Sequence, residues 1–384
     1  MSGESRVNLA LVGCGDVVHR SYLPALATAR DKVRIAACCD PDPVRAEQTA
    51  RACESWSAGV QAPQDLDAVL EDSQLSGIFN LAPAPAHETI SQAALHAGLH
   101  VYSEKPLAST PEGALALAGL AAGRDRLLLC APAIMAAPRF RWLKQVLETG
   151  QFGPATLAIG RYANLGPAAL LGYQGDPSVH YSANVGPLID QGVYVLHAMT
   201  GLLGEVRQIQ ALGAQAIPCR RVRYGPHASN NVAVEGCDHI LLQLGFENGA
   251  LAQVLSSFAV PASPGPALEV HTARASFILD DWQHANAPVD VYLDDQHGGG
   301  VQGWLRAANQ GCEKAVVDDL VGVGALHFVA VMRGEEAPLL SSADACQVLQ
   351  IVGAARRSIR DGITVELPSA PVPSPSARAA VRER

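Results

Sequence analysis

The sequence has few lysines, no basic stripe and no long hydrophobic run. Only four of its 28 basic residues are lysines, and the formal net charge over 384 residues is −9. A chain with this charge pattern is not expected to bind nucleic acid or an anionic membrane. The first six residues lack the hydrophobic core of a signal peptide, and no apolar run reaches the length of a membrane span. These absences favour a folded, soluble protein.

The nine cysteines form no C-x-x-C pair and mostly lie inside apolar runs. An odd number of buried thiols is typical of a reducing cytoplasm. The closest approach to a metal-ligand group is Cys237-Asp238-His239, which has no second pair at a zinc-site spacing. The sequence therefore predicts a cytoplasmic protein without a metal site.

The length and the change of pattern along the chain predict two domains. Strands alternate with helices in residues 1–133, which indicates an α/β domain with a doubly wound parallel sheet of the Rossmann type. In residues 134–368 the strands are longer and follow one another, which indicates an α+β domain with a large mixed, mainly antiparallel sheet. The open face of such a sheet needs a cover, so a homodimer or homotetramer through it is expected. The Pro- and Ser-rich residues 369–384 are expected to be disordered.

The first strand, Val7–Val12, runs directly into the turn Gly13-Cys14-Gly15-Asp16-Val17-Val18 and then a helix. A dinucleotide pyrophosphate needs this order, because the glycines admit the phosphates and the helix start offers free amide hydrogens. The third motif position is valine, so the turn alone leaves the assignment open. The second strand, Val33–Cys39, ends on Asp40, at the spacing where a carboxylate accepts hydrogen bonds from ribose hydroxyls. Because this carboxylate repels a 2′-phosphate, NAD is predicted, and Arg45 leaves NADP open.

Two further strands end at the same sheet edge, where ligands bind in open parallel sheets. One ends in Ala82-Pro83-Ala84-Pro85-Ala86-His87, whose histidine either contacts a ribose or diphosphate or is merely solvated. The other, beginning at His100, ends in Glu104-Lys105-Pro106. Lysines are scarce here, so Lys105 is predicted to be functional, the alternative being a surface ion pair with Glu104. The predicted cofactor contacts are Gly13, Gly15, Asp16, Val17, Asp40, Ala82, Pro83, His87, Glu104 and Lys105.

One helix of the second half, Gly186 to Met199, carries a polar stripe of Asp190, Tyr194 and His197 at i, i+4 and i+7. A polar stripe is costly to bury without partners, so it faces either solvent or a ligand cavity. The apolar residues around the rest of the helix favour a cavity.

Taken together, these segments resemble the Gfo/Idh/MocA oxidoreductase family from about Val7 to Leu367. The resemblance implies an NAD(P)-binding domain, a second domain that dimerises through its sheet, and a substrate between the Lys105 edge and the Asp190 helix. Many family members have Asp-x-x-x-His on this helix, with the histidine as acid/base, whereas this chain has Tyr194 there. The motifs that carry the resemblance are residues 12–16, 80–87, 104–106, 186–194 and 358–367.

The resemblance implies an NAD(P)-dependent oxidoreductase that moves a hydride between nicotinamide and a secondary alcohol or ketone of a sugar, cyclitol or sugar derivative. Alcohol oxidation needs a proton acceptor beside the hydroxyl. The hypothesis assigns this role to Tyr194, with the Lys105 ammonium favouring its phenolate, while Asp190 orients a second hydroxyl. His197 is either a proton relay or an ordinary helix histidine.

Residues between the first long strand and the Asp190 helix are candidates for a polyol pocket, although an ordinary polar loop has much the same composition. These residues are Tyr162, Asn164, Tyr173, His180 and Tyr181. The basic group Arg220, Arg221 and Arg223 either contacts a phosphate or belongs to a solvated loop. Two other functions stay open: an NAD-dependent glycoside-cleaving enzyme with an internal redox cycle, and a non-catalytic nucleotide or ligand sensor. Net NADH accumulation separates the dehydrogenase from the internal cycle.

Overall fold

A computed structural model describes residues 6–294 and 302–368. Its first sheet has five parallel strands in the order β2-β1-β3-β4-β5, which confirms the Rossmann-type prediction. The register pairs Val12 with Asn80 and Asn80 with Ser103, so β1, β3 and β4 end at one level. The loops after these strands therefore meet at one edge. The strands are β1 (Val7–Val12), β2 (Val33–Cys39), β3 (Gly77–Asn80), β4 (His100–Ser103) and β5 (Leu128–Cys130).

Helices cover this sheet, and local sequence explains where they begin. Asp42 and Thr110 accept hydrogen bonds from amides of the first turn of their helices, each of which has proline at its first position. The first helix differs from a regular α-helix because it opens with a π-helical turn, Val18–Tyr22. The helices are α1 (Leu23–Thr28), α2 (Pro43–Cys53), α3 (Leu66–Leu70), α4 (His87–His96) and α5 (Pro111–Gly123).

The second sheet has nine strands in the order β15-β14-β13-β12-β6-β11-β10-β7-β16. Its pairs are antiparallel except for β6 with β11, which confirms the prediction of a mixed, mainly antiparallel sheet. The strands are β6 (Ala155–Ala163), β7 (Val206–Ala214), β10 (His239–Phe246), β11 (Leu251–Ser257), β12 (Leu268–Thr272), β13 (Ala275–Leu279), β14 (Asp290–Leu293), β15 (Gly303–Leu305) and β16 (Val365–Glu366), while β8 (Cys219–Arg221) and β9 (Asn231–Ala233) form a separate pair.

The helices of the second half are α6 (Pro138–Glu148), α7 (Val193–Leu203), α8 (Leu320–Met332) and α9 (Ser342–Asp361). A π-helical turn, Leu188–Gly192, precedes α7. Helix α8 returns to the first sheet, where Phe328 packs edge-on against Phe79 and also contacts Tyr102. Helix α8 thus follows residue 133 in the chain but packs against the first sheet. The domain boundary at residue 133 stays a prediction.

The predicted tail, residues 369–384, lies outside the described residues. Within residues 6–294 and 302–368, no helix combines the length and the apolar character that crossing a membrane requires.

Candidate active site

The glycine turn after β1 is shaped by close approach to the loop after β3. Gly13 has a φ of +94°, and a Cβ built there would lie 2.5 Å from the backbone nitrogen of Ala82. Any larger residue is therefore excluded at this position. Gly15 is different, because a Cβ added there meets no atom within 4 Å. The turn is thus tightly packed where it meets Ala82 and open at Gly15, as a turn that admits a phosphate must be.

Asp40 links the glycine turn to the end of β2. It is 8% exposed; its Oδ2 accepts a hydrogen bond from the Cys14 amide at 2.8 Å, and its Oδ1 accepts one from the Asp42 amide at 2.9 Å. A carboxylate has about four lone-pair positions, so it can still accept from ribose hydroxyls. Arg45 pairs with Asp42 at 3.4 Å. The residues present fit NAD, because a 2′-phosphate bound beside the Asp40 carboxylate would bring two negatively charged groups together.

His87 plays neither of its two predicted roles. Its side chain is 1% exposed, and its ring nitrogens each lie 2.7 Å from a carbonyl oxygen, Nδ1 from that of Pro106 and Nε2 from that of Ala82. Both ring nitrogens are therefore engaged by the protein. The histidine ties the loop after β3 to the loop after β4, and the prediction of a cofactor contact is wrong.

Glu104 and Lys105 do not pair through their side chains among the described contacts. Glu104 accepts from the Tyr22 hydroxyl at 2.8 Å and from the Lys105 backbone amide at 3.1 Å. The Lys105 Nζ turns the other way, donating to the Asp190 carbonyl at 2.6 Å and to its Oδ1 at 3.1 Å. The alternative of a simple Glu104–Lys105 surface pair is wrong, and Lys105 joins the first sheet to the Asp190 helix.

The Lys105–Asp190 pair is largely enclosed, with side chains 18% and 14% exposed. Burial opposes both charges. The Asp190 and Glu104 carboxylates nevertheless raise the pKa of Lys105, and Lys105 with His180 holds the pKa of Asp190 well below its usual range. Both groups are consequently charged at neutral pH. Asp190 lies in the π-helical turn, a geometry that often marks functional sites.

The ring of Tyr194, which follows Asp190 by about one helical turn, also lies near Lys105. The Nζ lies 5.7 Å from the centre of the Tyr194 ring, and the Tyr194 and Tyr162 rings pack in a T-shaped arrangement with their centres 5.5 Å apart. Burial raises the pKa of Tyr194 well above its ordinary value, and Tyr162, Glu104 and Asp190 add to the rise. The surroundings thus oppose the phenolate that the sequence hypothesis requires. The hydroxyl has no hydrogen-bond partner within the described structure.

His197 does not share the site with Asp190 and Tyr194. It lines a separate cavity of about 500 Å³ with Met135, Lys144 and Asp344, and burial lowers its pKa to about 4. The π turn contains Asp190, whereas Tyr194 and His197 both lie in the regular helix α7 that follows it. The i→i+5 hydrogen bonds of the π turn shift Asp190 out of the α-helical period relative to His197, so the predicted three-residue stripe does not form.

The position of His180 beside Asp190 was not predicted from the sequence. Its Nδ1 lies 3.3 Å from the Asp190 Oδ1, and its Nε2 lies 3.0 Å from the Tyr173 hydroxyl. The contact with Asp190 is electrostatic and not a well-aligned hydrogen bond, since Nδ1 has no aligned partner in the described chain. Sequence reasoning placed His180 and Tyr173 only as pocket lining. No local signal ties His180 to Asp190, because the contact depends on how the loop before the helix folds.

The remaining predicted substrate residues divide into two groups. Tyr162 belongs to the site through its contact with Tyr194 and stacks on Trp282. Asn164 accepts from the Gln191 amide at 3.0 Å and so fixes the end of β6 to the π turn. Tyr181 is 1% exposed and accepts from the Ala168 amide at 3.0 Å, inside a small second core. Tyr181 is structural, and the prediction that it contacts substrate is wrong.

Arg220 also departs from both of its predicted roles. It is 7% exposed, pairs with Asp238 at 2.5 Å and donates to the Phe258 carbonyl at 2.7 Å. It therefore holds the β8–β9 pair against the second sheet, while Arg221 and Arg223 stay exposed. In residues 6–294 and 302–368, no group of three His, Cys, Asp or Glu side chains is placed to hold a metal ion.

The parallel sheet, the glycine turn and the carboxylate after β2 define a dinucleotide-binding protein. Residues 7–131 match the model of an oxidoreductase family with an NAD-binding Rossmann fold, and residues 140–278 match the GFO/IDH/MocA C-terminal domain. The chain belongs to the Gfo/Idh/MocA family and is an NAD(P)-dependent oxidoreductase.

Several relatives are similar along most of their length. The chain is 27% identical to dTDP-3,4-didehydro-2,6-dideoxy-alpha-D-glucose 3-reductase of Streptomyces antibioticus, over 77% of this chain and 90% of that one. It is 24% identical to D-glucoside 3-dehydrogenase of Escherichia coli (strain K12), over 95% and 98% of the two chains. The fold matches that of levoglucosan dehydrogenase in complex with NADH, with a TM-score of 0.80, 20% identity, and coverage of 95% of this chain and 100% of that one.

Proposed function

We propose that this protein oxidises or reduces a secondary alcohol or ketone of a sugar, cyclitol or sugar derivative with NAD(H). The observation that carries the proposal is the enclosed Lys105–Asp190 ion pair, which stands beside Tyr194 at the edge of the sheet that bears the glycine turn. The relatives named above, whose names describe activity on sugars, support the substrate class.

The proposed roles follow from charge and position. Lys105 donates a hydrogen bond to the reacting oxygen and stabilises negative charge on it. Asp190 holds the Lys105 ammonium and accepts from a neighbouring hydroxyl through its second oxygen. Tyr194, retaining its proton, hydrogen-bonds the substrate, while Tyr162 supplies an aromatic face for the ring.

The cofactor, when bound, accepts or donates the hydride. Gly13, Gly15, Asp16 and Val17 are proposed to hold its pyrophosphate, and Asp40 its adenosine ribose. We assign Ala82, Pro83, Glu104 and Lys105 to the nicotinamide side, because the loops after β3 and β4 end there.

The direct test is NADH formation by absorbance with a panel of sugars, cyclitols and glycosides, with NADP as the comparison cofactor. Lys105→Ala serves as the blank. We expect NADH to accumulate with at least one polyol and no signal from the blank. Cofactor binding with no net NADH, but with cleavage of a glycoside, would instead support the internal redox cycle; binding with no turnover at all would support a sensor.

The second sheet is proposed to pair with a second copy of this chain, in a dimer or tetramer. Its outer face exposes adjacent leucines on neighbouring strands, Leu212 beside Leu241 and Leu251 beside Leu157. Exposed apolar patches of this kind mark interfaces. Leu212→Asp combined with Leu251→Asp should convert the oligomer to monomer in light scattering, whereas Leu115→Asp, on α5, should not. A wild-type protein that is already monomeric would refute this part.

Cytoplasmic location is the remaining proposal. All nine cysteines are free, including the buried pair Cys38 and Cys53 with sulfurs 4.0 Å apart. Unpaired thiols at this distance support a reducing compartment.

A further inference from the structure

A cavity of about 510 Å³, which we call the hairpin pocket, lies between the β8–β9 pair and the short turn Pro167–Ala169. Three arginines line it, Arg220, Arg221 and Arg223, and the described lining contains no aspartate or glutamate. In a chain with a formal net charge of −9, the pocket is a local concentration of positive charge. Such a cavity attracts an anionic ligand.

The alternation of the strand divides the three arginines. Successive side chains of a strand point to opposite faces, and exposure alternates accordingly along residues 219–223. Arg220 is turned inward and pairs with Asp238 at 2.5 Å, so its charge is neutralised and it anchors the strand. Arg221 and Arg223 therefore share the outer face, two residues apart, on a backbone that this anchor holds in place.

The guanidiniums of Arg221 and Arg223 keep most of their donors available for a ligand. Within residues 6–294 and 302–368, neither arginine forms an ion pair, and the side chain of Arg223 donates no hydrogen bond. Arg221 Nη2 donates to the Ser229 hydroxyl at 3.4 Å, which is a long contact. A guanidinium carries more N–H donors than this contact uses. Both residues can thus bind an anion without losing an ionic partner.

The backbone at Ser229 supports a role in binding. Its φ is +73°, which is uncommon for a residue other than glycine. Backbone strain of this kind is concentrated at functional sites. Here the strained residue lines the pocket and holds its hydroxyl beside Arg221, so a neutral donor stands next to a charged one.

The rest of the lining suits an organic molecule. Leu165, Ile217 and Val222 give the pocket an apolar wall, and Tyr224, which is 45% exposed, adds an aromatic ring. Such a ring provides a large, rigid apolar face with a polar tip. The lining therefore fits a charged group together with the part of the molecule that carries it.

One loop contacts both the hairpin pocket and the proposed active site. Asn164, at its start, accepts from the side chain of Gln191 in the π turn, and the next residue, Leu165, lines the pocket. Farther along the loop, the Tyr173 carbonyl oxygen lies 2.4 Å from where a Cβ on Gly225 would be built, so the hairpin packs tightly on it. A group bound in the pocket thus lies against the loop that borders the active site.

We propose that the hairpin pocket binds a phosphate or diphosphate group through the guanidiniums of Arg221 and Arg223, with the Ser229 hydroxyl as a further donor. The planar fork of arginine matches two phosphate oxygens at once, and two neighbouring guanidiniums can hold a diphosphate. The group is carried either by the substrate itself or by a separate organic phosphate. Binding is independent of the proposed function, whereas a use in substrate recognition rests on it.

Calorimetric titration of the full chain with inorganic pyrophosphate and with uridine diphosphate tests the site. The variant is Arg221→Gln combined with Arg223→Gln, which removes both charges and keeps polar side chains. We expect the affinity of the pocket for each ligand to fall about 10²-fold, because charged hydrogen bonds are lost at both positions. Binding of either ligand at the glycine turn is common to both proteins, so the difference between them reports the hairpin pocket.

Arg357→Gln combined with Arg360→Gln is the matched control, because it removes the same charge from the exposed end of α9. It should bind both ligands as wild type does, which separates a site from a general effect of net charge. Thermal unfolding should be unchanged in both double variants, since the four arginines are exposed or pair only at the surface. The proposal is overturned if wild type binds neither ligand, if the pocket variant binds them as wild type does, or if the two double variants lose affinity equally.

Steady-state kinetics identifies the carrier of the phosphate. An alcohol of the panel that is oxidised is compared with its phosphate ester, in wild type and in the pocket variant. If the substrate carries the phosphate, the ester should have a KM about tenfold lower than the free alcohol in wild type only, with kcat for the free alcohol equal in both proteins. If a separate organic phosphate binds, the two KM values should be alike, and uridine diphosphate should bind without competing with the alcohol. If no alcohol is oxidised, the proposed function fails, and the titrations still decide whether the pocket binds phosphate.

Discussion

The glycine turn, residues 13–18, makes its contacts through its own backbone atoms, whereas the Lys105 corner, which consists of Lys105, Asp190, His180 and Tyr194, makes them mainly through side chains. Gly13 meets the Ala82 backbone, and the Cys14 amide meets Asp40. At the corner, the Lys105 and His180 side chains come from two separate segments and meet at the carboxylate of Asp190, which belongs to a third. The turn is thus defined by backbone shape and the corner by charge. Substitutions should separate the two, with folding and binding failing at the turn and chemistry failing at the corner.

The corner should give the largest single effect. Replacing Lys105 by methionine keeps the length of the side chain and removes the ammonium, so the reacting oxygen loses its charged donor. We expect kcat to fall about 10²–10³-fold. The affinity for NAD, measured by fluorescence titration, should change little if the corner acts on chemistry alone.

Lys32→Met is the matched control, because Lys32 forms an exposed ion pair with Glu335 away from the cleft. It should retain wild-type turnover. A Lys105→Met protein that turns over normally would show that the ion pair is structural, and the contrast between the two regions would disappear.

The turn should fail in a different way. In Gly13→Ala the new methyl would lie 2.5 Å from backbone atoms at a φ of +94°, so we expect a loss of about 1–3 kcal/mol in the free energy of unfolding. NAD affinity should fall with it, by about tenfold or more, a change worth 1.4 kcal/mol per factor of ten. Chemical denaturation and NAD titration measure the two quantities.

Gly15→Ala sharpens this test, since a methyl at Gly15 meets nothing within 4 Å. Its unfolding free energy should match that of wild type, and only NAD affinity should fall. Equal stability losses in the two variants would mean that the turn is not shaped by the contact with Ala82.

The same difference explains how much the sequence could predict. The turn and Asp40 follow from local order along the chain, since a strand, two glycines and a second strand with a terminal acid are separated by fixed spacings. Lys105 and Asp190 were found because each is unusual in its own segment. The family resemblance implied that a substrate lies between them, and their direct ion pair was not predicted.

What the sequence could not predict depends on packing between distant segments. His87 binds two carbonyls of loops that meet only in the folded sheet, and His180 reaches Asp190 only because the loop around Tyr173 folds back. Helix α8 was missed because it is apolar on nearly every side and shows no amphipathic period. The fold explains this composition, since most of the helix is buried. It packs so closely against the first sheet that a Cβ built at Gly324 would lie 2.2 Å from the Tyr102 hydroxyl.

The smallest expected effect is also at the corner and concerns Tyr194. Its ring stays in place through its edge contact with Tyr162, so Tyr194→Phe should remove a single hydrogen bond to the substrate. A bond of that kind is worth about 1 kcal/mol, so we expect a fall in kcat/KM of about tenfold or less. Steady-state kinetics at neutral pH measures this fall, with Lys105→Met as the reference. If Tyr194→Phe instead loses as much activity as Lys105→Met, then Tyr194 itself exchanges the proton, and its burial has been overcome by the bound substrate.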